Sequence, residues 1–172
     1  MIARRTLIAG ALGVPLLLSG CQTIPENAIR WQGRFAVTIS ASSKTVSETG
    51  RFELIESNGR RRLDLLTPLS GVIARIETDD KGATLWYGSR SDPFEAPNLD
   101  ALLLQHLGFT VPIALLLEVL SDKSGRLSTG VAGGWRYDVT SRQPSGEAQR
   151  LVLEHALTAA MPKIKLVLVV NP

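Results

Sequence analysis

Few side chains in this sequence could carry out covalent or acid–base chemistry. There is one cysteine, Cys21, and there are two histidines, His106 and His155. A single cysteine cannot form an intramolecular disulfide or a thiolate metal cage, and the histidines lack the paired spacing of zinc sites. The sequence also lacks a Gly-x-Ser-x-Gly elbow and a Walker A loop. We therefore expect no catalytic residues, no metal and no work driven by nucleotide hydrolysis.

Cys21 ends an N-terminal segment that is typical of exported proteins. Arg4 and Arg5 precede an apolar run over residues 7–18, which is short for a bilayer span and is followed by small residues. The segment Leu18-Ser19-Gly20-Cys21 resembles the bacterial lipobox. This resemblance implies cleavage before Cys21 and N-acyl and S-diacylglycerol groups on it, with no separate cofactor. An ordinary signal peptide with an incidental cysteine is the alternative.

The predicted boundaries follow from that cleavage. Residues 1–20 form the signal peptide, residues 21–29 a lipidated tether, and residues 30–172 one folded domain. Acyl chains contribute about 0.8 kcal/mol per buried methylene, so the mature protein should stay on a membrane. Gln22 stands where an aspartate commonly signals inner-membrane retention, which favours the periplasmic face of the outer membrane.

Composition excludes several other classes. With 44% hydrophobic and 20% charged residues, a chain of 172 residues fits one globular domain and not a disordered one. Without Arg4 and Arg5, the basic residues nearly balance the acidic ones. The one basic run, 60–62, opens a strand, and we interpret it as a solvated sheet edge. Nucleic acid is not an expected partner, and a monomer is expected.

Alternation with period two predicts strands on both sides of a central helical region. Four or five strands come first, including one from Arg30 and a hairpin around Ser57-Asn58-Gly59; three more close the chain. Between them, leucines at helical spacing follow Asn98 or Asp100 and end at Gly108. A second helix starts at Pro112 and is apolar around nearly its whole circumference, so it must be covered on several sides.

The predicted fold is mainly β with two helices. A long antiparallel sheet curves around the apolar helices as an unclosed barrel. Its inner face could either pack solid or leave an apolar cavity, and the pattern alone leaves both open.

The order of these features resembles the LolB family of outer-membrane lipoprotein receptors. The resemblance covers most of the mature chain and includes the loop Leu66-Thr67-Pro68-Leu69-Ser70-Gly71 and the closing strand Lys163-Ile164-Lys165-Leu166. The chain departs from the family with Leu54 and Val119, where the family tends to carry tryptophan. Family membership implies an apolar cavity that receives the acyl chains of other lipoproteins from a LolA-type periplasmic carrier and releases them into outer-membrane lipid.

Two sets of site residues follow from this resemblance and from strand parity. The predicted cavity lining comprises side chains of in-facing parity on the strands and of the covering stripe on the second helix: Phe35, Val37, Phe52, Leu54, Leu63, Leu65, Leu116 and Leu120. Leu69 is predicted to touch the membrane during release, because Pro68 restricts the loop and the family places a leucine there. A leucine buried in the core is the alternative.

Two other functions stay open at this point. A structural or assembly lipoprotein of the outer membrane would have the same sheet with a solid interior and no lipid cavity. An esterase acting on periplasmic lipids would need a serine, a histidine and an acid to meet in space.

Overall fold

The computed structural model describes residues 27–41, 43–69, 71–88 and 92–172. Strands flank two short helices in the chain order β1 (Ile29–Ser40), β2 (Thr45–Ser57), β3 (Arg60–Leu66), β4 (Val72–Thr78), β5 (Ala83–Tyr87), β6 (Phe94–Ala96), α1 (Leu99–Leu107), α2 (Ile113–Ser121), β7 (Thr129–Ala132), β8 (Trp135–Arg142), β9 (Ala148–His155) and β10 (Lys163–Val170). Cys21 and the predicted signal peptide lie outside the described residues.

The ten strands form one antiparallel sheet in the order β6-β5-β4-β3-β2-β1-β10-β9-β8-β7. The first and last strands of the chain pair at its centre, from Gly33 opposite Val170 to Ser40 opposite Lys163. In the part of the chain that the structure describes, β6 and β7 do not pair with each other, so the barrel is not closed. The predicted fold class, mainly β with an unclosed antiparallel sheet and two helices, is confirmed.

Strand register sorts the side chains onto two faces. We call the face that carries Phe35, Phe52 and Leu65 the inner face. Phe52 and Leu65 are direct partners on β2 and β3, and Phe35 lies on β1 two residues after the partner of Phe52, so all three side chains point to the same side. The opposite, outer face carries most of the charged side chains. The helices cover part of the inner face: α1 lies against β5 and β6, and α2 lies against β9.

The turn and helix signals of the sequence act as expected. Asn58 and Gly59 both have positive φ, 52° and 76°, which suits a two-residue hairpin turn between β2 and β3. The side chain of Asn98 accepts a hydrogen bond from the Ala101 N–H at 2.8 Å and so caps α1. Gly108, with φ 76°, ends that helix in the left-handed conformation.

The end of α2 is fixed by Asp122. Its carboxylate accepts hydrogen bonds from the N–H groups of Ser124 at 3.0 Å and Leu127 at 2.8 Å, and from the Ser124 hydroxyl. These hydrogen bonds lower the pKa of Asp122 to about 2, and the bond from the Ser124 hydroxyl has the largest effect. Within the described residues, neither helix is long and apolar enough to cross a membrane.

Two sequence interpretations need correction. The short strands β6 and β7 were not expected, because three- and four-residue strands give too little alternation to recognise. The run 60–62 does not lie on a sheet edge, since β3 pairs with β2 on one side and β4 on the other. Two of its three arginines instead form ion pairs: Arg61 lies 3.4 Å from Glu56 on the neighbouring strand β2, and Arg62 lies 3.6 Å from Asp64 on β3 itself.

Asp64 is a buried acid on the outer face, with 4% of its surface exposed. Both nitrogens of the Arg75 fork bond to it, at 2.6 and 2.9 Å, from the directly opposite position on β4. The hydrogen bond to Asp64 raises the pKa of Arg75 above its ordinary value. This ion pair joins the strands of the first half of the sheet.

Candidate functional site

The eight predicted cavity side chains all lie in one hydrophobic cluster between the inner face and α2. Four of them are buried, namely Phe52, Leu54, Leu116 and Leu120, and four are half-buried, namely Phe35, Val37, Leu63 and Leu65. The structure therefore brings the set together, as strand parity and helical spacing predicted. That these side chains line a cavity for acyl chains stays a prediction.

The half-buried side chains form a continuous apolar track along β1. Phe35, Val37 and Ile39 follow one another on the inner face, and each is only partly covered. Leu166 lies opposite Val37 on β10 and is also half-buried. Along this track the sheet presents aliphatic and aromatic groups that the helices do not fully shield, which is the surface chemistry that an acyl chain requires.

Helix α2 seals the other part of the inner face. Val119 and Leu120 are 0% and 1% exposed, and Leu116 and Leu117 are each 6% exposed. Its burial on several sides confirms the expectation from its all-round apolar sequence. Leu54 and Val119 both belong to this interior cluster.

The last strands contribute as much to the interior as the predicted residues do. Leu151, Leu153 and Leu168 are buried in the same cluster, together with Trp135 and Tyr137. Their alternation identified them as strand residues, but their place beside the predicted lining depends on β10 pairing with β1. That pairing joins distant parts of the chain, and no local signal in the sequence indicates it.

Leu69 lies at the tip of the loop between β3 and β4 and is 91% exposed. The base of the loop is closed by the Thr67 N–H, which donates to the Gly71 carbonyl at 2.8 Å, and by the Gly71 N–H, which donates to the Thr67 hydroxyl at 3.0 Å. The alternative of a leucine buried in the core is therefore excluded by its position. A fully exposed leucine next to a proline gains nothing from the fold, so its apolar surface is available to a partner or a membrane.

The two histidines lie in separate parts of the molecule. His106 is in α1 with its ring 4.3 Å from that of Phe94, whereas His155 is on β9 with its ring 5.4 Å from that of Trp135. His155 is 8% exposed, and its Nδ1 has no hydrogen-bond partner among the described residues. Within the same residues, no group of three His, Cys, Asp or Glu side chains could hold a metal ion.

Comparison with known proteins gives consistent results over most of the chain. Residues 27–171 match the model of a family described as outer membrane lipoprotein LolB. The outer-membrane lipoprotein LolB of Cupriavidus pinatubonensis is 30% identical over 166 residues, which cover 82% of this chain and 80% of that protein. The protein of the same name from Bordetella petrii is 32% identical over 157 residues, which cover 74% of this chain and 77% of that protein.

A more distant likeness appears among solved structures. The crystal structure of a LolA superfamily protein from Nitrosomonas europaea aligns with a TM-score of 0.40 and 13% identity, covering 83% of this chain and 84% of that chain.

Proposed function

The chain belongs to the LolB family of outer-membrane lipoproteins, and from this premise we propose that it receives acylated lipoproteins from a LolA-type periplasmic carrier and inserts them into the outer membrane. The transfer uses no nucleotide hydrolysis and no covalent chemistry. Cys21 carries the N-acyl and S-diacylglycerol groups that tether the domain to the periplasmic face of that membrane.

One observation supports this function most directly. A single domain combines a half-covered apolar track on its inner face with Leu69, an apolar side chain that is 91% exposed at a loop tip. The track has the chemistry to hold acyl chains, and the loop tip has the chemistry to enter a bilayer. A structural lipoprotein with a solid interior would not leave this track half-covered.

Binding free energy alone can drive such a transfer in one direction. Each methylene that leaves water contributes about 0.8 kcal/mol to the free energy of binding, whether the acyl chain enters the carrier, the receptor or the bilayer. Net movement then requires only that each successive site hold the acyl chain more favourably than the one before. An aliphatic lining suits chains of variable shape, because its contacts do not depend on direction as hydrogen bonds do.

Leu69 supplies the contact with the final site. Moving one leucine from water into lipid contributes about 1.5 to 3 kcal/mol, which biases docking without making it permanent. Pro68 fixes its own φ and so restricts the loop backbone next to Leu69.

The test is a transfer experiment with the lipidated chain reconstituted in vesicles. A LolA-type carrier loaded with an acylated lipoprotein is added, and the vesicles are separated from the soluble carrier. We expect the cargo to leave the carrier and to remain with vesicles that contain the chain, but not with empty vesicles. A structural lipoprotein would leave the cargo on the carrier in both samples. An esterase would instead release free fatty acid, which mass spectrometry of the products would detect.

A further inference from the structure

A cleft of about 700 Å³ opens on the outer face of the sheet centre, next to the loop that carries Leu69. Arg34 and Arg51 contribute its charged side chains, Val167 and Val169 contribute aliphatic surface, and Pro68 joins it to the loop. The transfer function described above makes no use of this cleft.

The two arginines are an unusual pair for a sheet. Arg34 and Arg51 lie directly opposite each other on β1 and β2, and both are exposed. Like charges in directly opposite positions destabilise a sheet, so the fold itself gains nothing from this pair. Among the described residues, neither arginine has an ion-pair partner.

The nearest acids of the same face are already neutralised. Glu53, two residues after Arg51 on β2, lies 2.6 Å from Arg30. Asp64, opposite Glu53 on β3, is held by Arg75 at 2.6 Å. The two guanidinium groups therefore present uncompensated positive charge to whatever enters the cleft, although basic and acidic residues nearly balance outside the predicted signal peptide. Two guanidinium forks side by side match the oxygens of a phosphate group.

The surroundings of the arginines point to a membrane surface. Val169 lies opposite Arg34 and is 38% exposed, and Leu66 lies opposite Arg51. Val72, opposite Leu66 in the same row, is 49% exposed. Basic side chains flanked by aliphatic ones are typical of protein surfaces that bind at the boundary between lipid headgroups and acyl chains.

The distance to Leu69 fits that boundary. Leu69 at the loop tip lies three positions after Leu66, which is in the arginine row, and this distance is at most about 10 Å of extended chain. Apolar groups of interfacial proteins enter the bilayer to a depth of roughly 5–10 Å. When Leu69 reaches the hydrocarbon, the arginine row therefore lies at the level of the lipid phosphates.

We propose that the cleft of Arg34 and Arg51 binds the phosphate group of a membrane lipid while Leu69 is inserted. The proposal rests on the insertion of Leu69 that the proposed function includes. The bound phosphate orients the domain on the bilayer and increases insertion on anionic membranes.

The experiment measures insertion of position 69 directly. In the full lipidated chain Leu69→Cys carries an environment-sensitive fluorophore, since acylation leaves Cys21 without a free thiol. The chain is reconstituted in vesicles of phosphatidylcholine alone and of phosphatidylcholine mixed with phosphatidylglycerol. We expect insertion in both, with more on the anionic vesicles, and we expect Arg34→Gln with Arg51→Gln to lower the insertion constant there by about fivefold or more. High salt should reduce the anionic preference of the native pair to the level of the variant.

The matched control removes two positive charges at the other end of the strands, with Arg60→Gln and Lys81→Gln, and should leave insertion unchanged. If the Arg34 and Arg51 variant keeps the full preference for anionic vesicles, the cleft is not a lipid site, while insertion on both vesicles still supports the proposed function. If position 69 enters neither vesicle, the membrane step of the proposed function fails and the cleft proposal fails with it.

Two further results would assign the cleft to another occupant and overturn the proposal. Inorganic phosphate that abolishes the anionic preference, when chloride of equal ionic strength does not, would identify a site for a soluble anion. A variant that inserts normally but no longer captures cargo from the loaded carrier would identify a site for an acidic protein surface.

Discussion

The phenyl ring of Phe35 lies against Gly50 on the neighbouring strand, so closely that a Cβ atom at position 50 would stand 2.7 Å from Cε1 of the ring. The two residues are direct partners in the β1–β2 ladder. The same Cβ would stand 2.6 Å from the Leu66 carbonyl oxygen. Gly50 thus makes room for an aromatic side chain of the proposed acyl site, and the absence of its side chain sets where that ring lies.

Gly50→Ala should displace the Phe35 ring and strain the sheet. Overpacking of this kind costs about 1–3 kcal/mol of unfolding free energy, which urea denaturation measures. Adding Phe35→Leu should recover only part of the loss, because the contact with the Leu66 carbonyl remains. Gly71→Ala is the control, since its nearest neighbour would be 3.6 Å away. Equal stability of Gly50→Ala and the native chain would contradict the packing described here.

Leu65→Glu should abolish binding of acyl chains. Leu65 lies on the inner face beside Phe52, so the variant either places a carboxylate among apolar groups or draws water into the site. Fluorescence of a fatty-acid probe gives the affinity, and circular dichroism shows whether the sheet persists. Leu104→Glu is the matched control, because Leu104 is 57% exposed on α1. A folded Leu65→Glu protein with native affinity would show that the parity assignment is wrong.

Asp122 should make the end of α2 sensitive to acid. Its pKa is about 2 in the folded protein, below its ordinary value of 3.8, because the carboxylate accepts hydrogen bonds from Ser124 and Leu127. A lowered folded pKa stabilises the fold fully above the ordinary value, and this contribution is lost as the pH falls through about 2. The difference in unfolding free energy between the native chain and Asp122→Asn should therefore shrink between pH 5 and pH 2, in urea titrations at each pH. A difference that stays constant over this range would rule out this role.

Lipidation of Cys21 is checked by mass spectrometry of protein extracted from membranes. We expect an N-terminus at Cys21 with three acyl chains, and we expect Cys21→Ala to give an uncleaved or unlipidated chain. An unmodified Cys21 in the membrane-extracted native protein would contradict the proposed lipid tether, but it would not bear on the proposed acyl site.

Much of the inner face could be predicted from the sequence, because burying one face of a sheet fixes the parity of every strand. Strand parity, together with the family resemblance, predicts Phe35, Phe52 and Leu65 on one face, and the register of β1, β2 and β3 agrees. The helices were also predictable, since the cap at Asn98 and the left-handed Gly108 are local signals.

Features that depend on long-range pairing could not be predicted. The ion pair of Asp64 and Arg75 exists because β3 and β4 align these two residues, and single-strand patterns carry no register between strands. Likewise β7 is recognisable only from its neighbour, where Gly130 leaves room for the ring of Tyr137. The cleft of Arg34 and Arg51 was missed for the same reason.

The exposure of Leu69 could be predicted only in part from the sequence. Pro68 indicated a loop, but periodicity does not determine the orientation of a loop side chain, and both a buried and an exposed leucine were compatible with the sequence. In the structure this leucine is 91% exposed, so Leu69→Glu should change unfolding free energy by no more than about 0.5 kcal/mol.

The most direct test of the central claim is therefore cargo transfer by the Leu69→Glu chain in vesicles, followed in two steps with a carrier loaded with an acylated lipoprotein. Crosslinking reports cargo bound to the chain, and protection from extraction at high pH reports cargo inserted in the bilayer. We expect the Leu69→Glu chain to take cargo from the carrier as the native chain does and then to retain it, with insertion reduced about tenfold or more, because the lost lipid contact is worth about 1.5 to 3 kcal/mol. Native rates of both steps in the folded variant would contradict the proposed role of Leu69 in release.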